Sequence, residues 1–343
     1  MHQILNTLFV MTQGAYLRLD HENLKVEVEK KVQLDVPLHH LGGIVVFGNV
    51  LVSPFLIHRC GEDGRIVVFM DKNGRFKARL TGSTSGNVLL RRIQHKAVDD
   101  PNTVIYLSRQ IVSGKIQNTR QVVLRAARES KNSDDMENLR TTANKLAQSL
   151  STLGHAKDVE VIRGVEGFAA KTYFESFNSM IRANRHIFTL DKRIRRPPRD
   201  MINALLSFLY ALVLNDCVSA SEGVGLDPQV GYFHALRPGR PALALDLMEE
   251  LRSIIADRLT LTLINRLQIG QKDFDNRQGG AVYLNEDGRK KVIVEYQKRK
   301  QEEIIHPILK QRIPYGLISH TQARLLARFL RGDTDAYIPF LIR

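Results

Sequence analysis

Residues 65–98 read RIVVFMDKNGRFKARLTGSTSGNVLLRRIQHKAV, and within them the spacing of apolar residues changes from strand-like to helix-like. Before Leu80, two runs of strand composition flank Asn73-Gly74, the pair best suited to a tight hairpin turn. GSTSG at 82–86 is small, polar and of linker composition. After it the helical period takes over. The stretch therefore predicts an α+β chain with three parts: a small β-rich N-terminal domain (1–81), a linker (82–86), and a larger, predominantly α-helical domain (87–343).

Reading outward from this stretch gives the same division. FVMTQGAYLRLD and NLKVEVEKKVQLDV alternate, with Leu24, Val26 and Val28 on one face and Lys25, Glu27 and Glu29 on the other. LGGIVVFGN is a short apolar run, and SPFLIHRCGEDG predicts a short helix. On the C-terminal side, helical periodicity covers about 87–98, 101–114, 116–130 and 134–154, then 158–162 leading into 166–183. It resumes at about 199–220, 241–268, 290–304 and 319–331. DNRQGGAVYLNEDGRKKVIV interrupts them and predicts a small hairpin turning at Glu286-Asp287-Gly288. The longest apolar run, ALLSFLYALVL at 204–214, is half a membrane span and is expected as a buried core helix, with no membrane partner.

The net charge is +14, which favours a polyanionic partner. It is unevenly placed. Residues 1–81 hold 10 Lys and Arg against 8 Asp and Glu, leaving 40 against 28 for the rest. Two distant cysteines, Cys60 and Cys217, argue against a disulfide framework or structural zinc. The start MHQILNTLFVMTQG lacks the pattern of a signal peptide, and a cytoplasmic location is expected. There is no P-loop, dinucleotide fingerprint, GxSxG elbow or HExxH motif.

The residues that bear on chemistry lie in the helical domain. GYFHALRPGRPALALDLMEELR at 231–252 leads a histidine into an apolar helix that carries Asp246, Glu249 and Glu250. On a helical wheel these three fall within about 100° of one another, together with Ser253 and Asp257. A solvated helix face accounts for such a stripe. But it is narrow and nearly all acidic in a basic protein, with no lysine at i+4, and clustered carboxylates are what a Mg²⁺ or Mn²⁺ site needs. His234 sits in a glycine- and proline-rich turn. Glu166 is flanked by Gly164, Gly167, Ala169 and Ala170, small residues that would let a neighbouring helix approach. A carboxylate enclosed there needs a metal or Arg163 beside it, or the dipole of a helix N-terminus. Seven basic residues, Arg182, Arg185, Lys192, Arg193, Arg195, Arg196 and Arg199, face only Asp191 in a loop broken by Pro197-Pro198. Arg324, Arg328 and Arg331 repeat at i, i+4, i+7 as a second basic stripe. Both suit phosphate contacts that position DNA without reading its bases.

In order and spacing, RGVEGFAAKTYF, PPRDMINALLSFLYALV, GYFHALRPGRPALALDLMEELR, GRKKVI and QARLLARFL resemble the CRISPR-associated integrase, the catalytic subunit of spacer acquisition. The resemblance covers essentially the whole chain. It implies a divalent-metal-dependent DNA integrase and endonuclease that joins the 3′-hydroxyl ends of captured fragments to phosphodiesters at the CRISPR repeat, without ATP. Carried over, the ligands of Mg²⁺ or Mn²⁺ are Glu166, His234 and Glu249, with Asp246 a nearby acid of the same motif. The third ligand stays open among Asp246, Glu249 and Glu250, with Glu249 preferred. Tyr173 suits packing better than substrate contact. The resemblance also implies double-stranded DNA as partner, a homodimer formed through the β domains, and a small ferredoxin-like adaptation protein. The competing readings are a structure-selective endonuclease for branched DNA, a non-catalytic basic DNA-binding protein, and a helical scaffold for an acidic protein.

Overall fold

The computed structural model describes residues 6–83 and 88–342, so residues 84–86 of the expected linker lie outside the described residues. The chain divides into two compact units: 1–85 with 284–301, and 86–283 with 302–343.

The N-terminal unit runs through β1 (Thr7–Val10), β2 (Tyr16–Asp20), β3 (Asn23–Val28), β4 (Lys31–Pro37), β5 (Gly43–Phe47), β6 (Leu51–Val52), α1 (Pro54–Glu62), β7 (Ile66–Met70) and β8 (Phe76–Leu80). One sheet has the order β1-β5-β7-β8, with β1, β5 and β7 parallel and β8 antiparallel. The other, β4-β3-β2-β6, is an antiparallel meander with β6 added parallel to β2. Alternation explains why both fold onto one core. Leu17, Leu24 and Val26 from the meander join Val10, Ile44, Val46 and Val67 from the other sheet, with Leu56 and Cys60 of α1. Gly74 takes φ +80° in the turn between β7 and β8, while Asp71 accepts from the backbone N–H groups of Asn73 and Arg75.

The larger unit begins with α2 (Val88–Val98), α3 (Pro101–Glu129), α4 (Ser133–Gly154), α5 (Val159–Glu175) and α6 (Met201–Val224). Next come α7 (Ala242–Glu249), a π-helical turn at Arg252–Asp257, and α8 (Arg258–Asn265). A hairpin of β9 (Phe274–Arg277) and β10 (Ala281–Leu284) leads to α9 (Glu286–Gln301). A second hairpin, β11 (Glu303–Ile305) and β12 (Arg312–Pro314), precedes α10 (Ile318–Arg331). By length and composition α6 could cross a membrane, but it packs as core: Leu205, Leu206, Leu209, Val213 and Cys217 are buried.

Several elements differ from the sequence expectation. α3 is one helix, unbroken at 114–116, and Gly114 within it leaves room for another segment. A Cβ there would stand 2.7 Å from Pro339 Cβ and 3.2 Å from Glu250 Cγ. α5 likewise runs straight through Gly164 and Gly167, which face open space and admit no close neighbour. The hairpin turn expected at 286–288 is the start of α9. Asn285 accepts from Gly288 N as a helix cap, and Glu286 and Asp287 suit a first turn. The tight turn lies earlier, at Gly279-Gly280 with φ +82° and +74°. α9, expected within the helical domain, groups with the N-terminal unit, and its Val292, Ile293 and Tyr296 are buried.

The start of α5 sets where Glu166 falls, and it depends on Asp158 capping Val161 N at 2.8 Å. Asp158→Ala is expected to cost about 1 kcal/mol of stability in denaturant titration.

A buried carboxylate cluster as the candidate active site

The acidic stripe of 246–257 is not a solvated face. Asp246 is 0% exposed, Glu249 2%, Glu250 0% and Asp257 2%. Each carboxylate therefore needs partners, and each finds different ones. The π-helical turn after α7 shifts the register of everything beyond it, so Asp257 leaves the line a regular helix would give.

Asp246 holds the histidine turn. Its Oδ2 accepts from Tyr232 N (2.6 Å) and Phe233 N (3.1 Å). Its Oδ1 accepts from His234 N (3.0 Å) and lies 2.7 Å from His234 Nδ1. A carboxylate oxygen accepts, so Nδ1 carries a hydrogen toward Asp246 and Nε2 faces away from it. Gly231 is required at the entry: a Cβ would meet Ala242 C at 2.5 Å and Leu243 N and Asp246 Oδ2 at 2.7 Å. Expected as a further ligand, Asp246 instead has both oxygens committed to this turn. Arg163, expected beside Glu166, donates to Phe233 O and pairs with Glu160, so it ties α5 to the same turn.

Glu249 points the other way, toward Arg252, Lys115 and the His234 imidazole. Arg252 Nη2 lies 2.9 Å from Oε1, His234 Nε2 3.6 Å from Oε1, and Lys115 Nζ 2.7 Å from Oε2. Oε2 is buried and lacks hydrogen-bond geometry to any partner. Burial pushes this carboxyl up, but the charges of Arg252, Lys115 and His234 outweigh it and bring it down to about 2. Glu166, mid-helix on α5 and 22% exposed, reaches the cluster through Lys115, whose ammonium pairs with its Oε1 as well. Among the described residues no three His, Cys, Asp or Glu side chains already surround a single point. The lysine stands between the two glutamates.

Glu250 faces away from them. Gln322 Nε2 (2.8 Å), Phe340 N (2.7 Å) and the Tyr337 hydroxyl donate to its carboxylate. Asn118 Nδ2 donates to its carbonyl and to Phe340 O, both at 2.8 Å. Burial pushes its carboxyl up to about 7 despite those donors. Of the three acids left open by the sequence, only Glu249 faces His234 and Lys115.

Lys115 was missed by sequence reasoning. It stands alone in IVSGKIQN, between buried Ile111, Val112 and Ile116. A lysine inside an apolar stripe, directly after Gly114, was the available signal.

The basic loop separates into classes. Arg193 is interior: it donates to Asn203 Oδ1 and Ser207 Oγ and lies 5.2 Å over the Tyr210 ring. Arg185 forms a fork to Asp135, and Arg182 pairs with Glu129. Lys192, Arg195, Arg196 and Arg199 are exposed. Arg195 lines a cavity of about 40 Å³ together with Lys115, Glu166, Arg252 and Ser253. On α10, Arg324, Arg328 and Arg331 are all exposed, and Arg331 pairs with Asp333. Tyr173 is buried beside Phe174 and Phe177 and lines the same cavity.

The profile of the family described as CRISPR associated protein Cas1 matches residues 8–298. A protein of Moorella thermoacetica named CRISPR-associated endonuclease Cas1 1 is 57% identical over 343 residues, covering 100% of both chains. Among solved structures, a CAS1 protein from Thermotoga maritima superposes with TM-score 0.82 at 22% identity, covering 95% of this chain and 97% of that one. A casposase bound to integration product gives 0.83 at 22% identity, covering 97% and 92%. At that identity the two structures speak for the fold.

Asp257 offers a pH test away from the cluster. Burial raises its carboxyl to about 6, opposed by the hydrogen bond from the Tyr210 hydroxyl at 2.8 Å. An acid with a raised folded pKa stabilises the fold below its unfolded value, and that contribution is lost as pH rises through the folded one. Relative to Asp257→Asn, the wild-type chain is expected to lose stability between about pH 4 and 6, read by urea unfolding across that range.

Proposed function

The chain belongs to the CRISPR-associated protein Cas1 family, and on that footing we propose that it is the divalent-metal-dependent DNA integrase and endonuclease of CRISPR adaptation. The observation that carries this reading is the convergence of Glu249 with His234 Nε2 and, across one lysine, with Glu166. In the proposed reaction the 3′-hydroxyl of a captured DNA fragment attacks a phosphodiester at the repeat boundary. A new P–O bond forms as the old one breaks, and the displaced strand leaves with its own 3′-hydroxyl. Bond energy is conserved, so no nucleotide triphosphate is consumed.

The residues present fit a divalent ion. Two carboxylates and an imidazole nitrogen are a suitable donor set for Mg²⁺ or Mn²⁺, the imidazole favouring Mn²⁺. Glu249 Oε2 is buried without hydrogen-bond geometry, and His234 Nε2 lies 3.6 Å from Oε1 of the same carboxylate. When bound by Glu166, His234 and Glu249, the ion would stabilise charge on a phosphate oxygen and favour ionisation of the attacking hydroxyl. Asp246 then acts on the histidine, fixing its tautomer and ring as an outer carboxylate does in many metal sites. Arg252 holds Glu249 in its rotamer. Exposed Arg195, beside the cavity, and Lys192, Arg196 and Arg199 are placed to hold DNA phosphates, as are Arg324 and Arg328. Arg182, Arg185 and Arg331 join them only by exchanging protein carboxylates for phosphate, and Arg193 serves the core. The family resemblance further supports action on double-stranded DNA in the cytoplasm, as a homodimer with a small ferredoxin-like partner.

The test is strand transfer. Wild type, His234→Ala and Glu249→Ala are incubated with a short duplex bearing a 3′-hydroxyl, a supercoiled plasmid, and Mn²⁺, Mg²⁺ or EDTA. Removing an outer-shell partner costs up to about 100-fold, so loss of a ligand is expected to lower metal-dependent joining by at least about 100-fold. Cleavage of branched DNA without joining would instead mark a structure-selective nuclease. Equal activity in all three proteins would contradict the site.

A further inference from the structure

The two carboxylates assigned to the metal are already bridged by one side chain. Lys115 Nζ is in ionic contact with Glu166 Oε1 and with Glu249 Oε2. Lys115 is 15% exposed and Glu249 2%, so the contact is poorly screened and hard to exchange for water. Oε1 of Glu249 is taken by Arg252. The oxygen left over for a metal is the one that faces the lysine.

A divalent ion and an ammonium cannot share these oxygens. An ion bonded to Glu249 Oε2 and Glu166 Oε1 would sit where Lys115 Nζ now bridges them, and like charges so close in a buried setting repel strongly. Lys115 has somewhere to go. Lys115 lines the cavity that Arg195, Arg252 and Glu166 also line, a recess in which three basic residues meet Glu166 and Asp257. A DNA phosphate entering that recess gives the ammonium a new oxygen partner, and a flexible lysine stem can make the exchange without moving α3.

We infer that Lys115 is an exchangeable counter-ion of the site: it holds Glu166 and Glu249 together without DNA, and releases them to the metal when a DNA phosphate takes its ammonium. This inference rests on the metal reading of Glu166, His234 and Glu249. Its consequence is a coupling. DNA raises metal affinity, and by linkage metal raises DNA affinity by the same factor. The same exchange keeps metal affinity low in protein that carries no substrate.

The experiment is titration calorimetry of Mn²⁺ into the full chain, alone and with a short duplex ending in 3′-dideoxynucleotides. The heat of Mn²⁺ binding to the duplex alone is subtracted. Circular dichroism melting establishes that each variant is folded. In wild type, DNA is expected to tighten Mn²⁺ binding by about tenfold or more, within the usual range of coupling between sites. Lys115→Met is expected to bind Mn²⁺ tightly without DNA and to show no further gain with it. Lys115→Arg keeps the charge with a bulkier head and is expected to bind Mn²⁺ no better than wild type without DNA. Unchanged or weaker Mn²⁺ binding by Lys115→Met, or coupling retained in that variant, would overturn the inference while leaving the metal site standing. Glu249→Gln separates the two claims. If it binds Mn²⁺ as wild type does, the metal reading itself fails, and the role of Lys115 fails with it.

Discussion

Glu249 puts a carboxylate where almost no water reaches it, and much of the helical unit is arranged around that fact. Left alone, such a group would be held as the neutral acid by burial. Three positive or polarised groups reverse this, and they come from three places: Lys115 from α3, Arg252 from the π-helical turn, and His234 from the turn before α7. Each of those places is itself fixed. Asp246 binds the 232–234 backbone, Arg163 reaches the same turn from α5, and Gly231 admits the close approach to α7. A change in any one of them alters the balance of charge around a single oxygen pair.

The next residue along the chain shows the opposite solution. Glu250 is as buried as its neighbour but meets neutral donors and no cation, and its carboxyl rises where that of Glu249 falls. It serves as an anchor. The C-terminal segment closes over it through Tyr337 and Phe340, while Gln322 is oriented by His306 Nε2 at 3.2 Å. His306 Nδ1 in turn accepts from Ile308 N and Leu309 N, so the direction of the whole chain of hydrogen bonds is set by backbone. Adjacent glutamates thus grip opposite sides of the end of α7. The rotation of that helix end is fixed from both sides, as an arrangement of reacting groups requires.

Much of this was legible in the residues. The change of period across 65–98 gave the two architectures, and the order of Glu166, His234 and the DLMEE helix pointed to the residues that meet. The choice among Asp246, Glu249 and Glu250 stayed open in the sequence, with Glu249 preferred, because a regular helical wheel puts Glu249 and Glu250 on one stripe. Only the buried partners, contributed by residues 70 to 90 positions away, turn them apart. Lys115 was hidden for a related reason: its partners lie 51 and 134 positions along the chain, and nothing local marks a lysine as interior. Charge counts cannot tell Arg193, stacked inside on Tyr210, from Arg195 at the cavity. Gly164 and Gly167 suggested close packing around Glu166, yet open space lies beside them. α9 was placed with the helices because a helical period does not say which unit a helix packs into.

The account turns on whether the buried oxygen of Glu249 is where the reacting cation binds. The most direct measurement is an anomalous difference map, at the manganese edge, of crystals of the DNA complex grown with Mn²⁺. The account predicts a peak bonded to Glu249, His234 Nε2 and Glu166, with Lys115 displaced toward a phosphate. A peak elsewhere, or Lys115 still bridging the two glutamates with manganese absent between them, would contradict it.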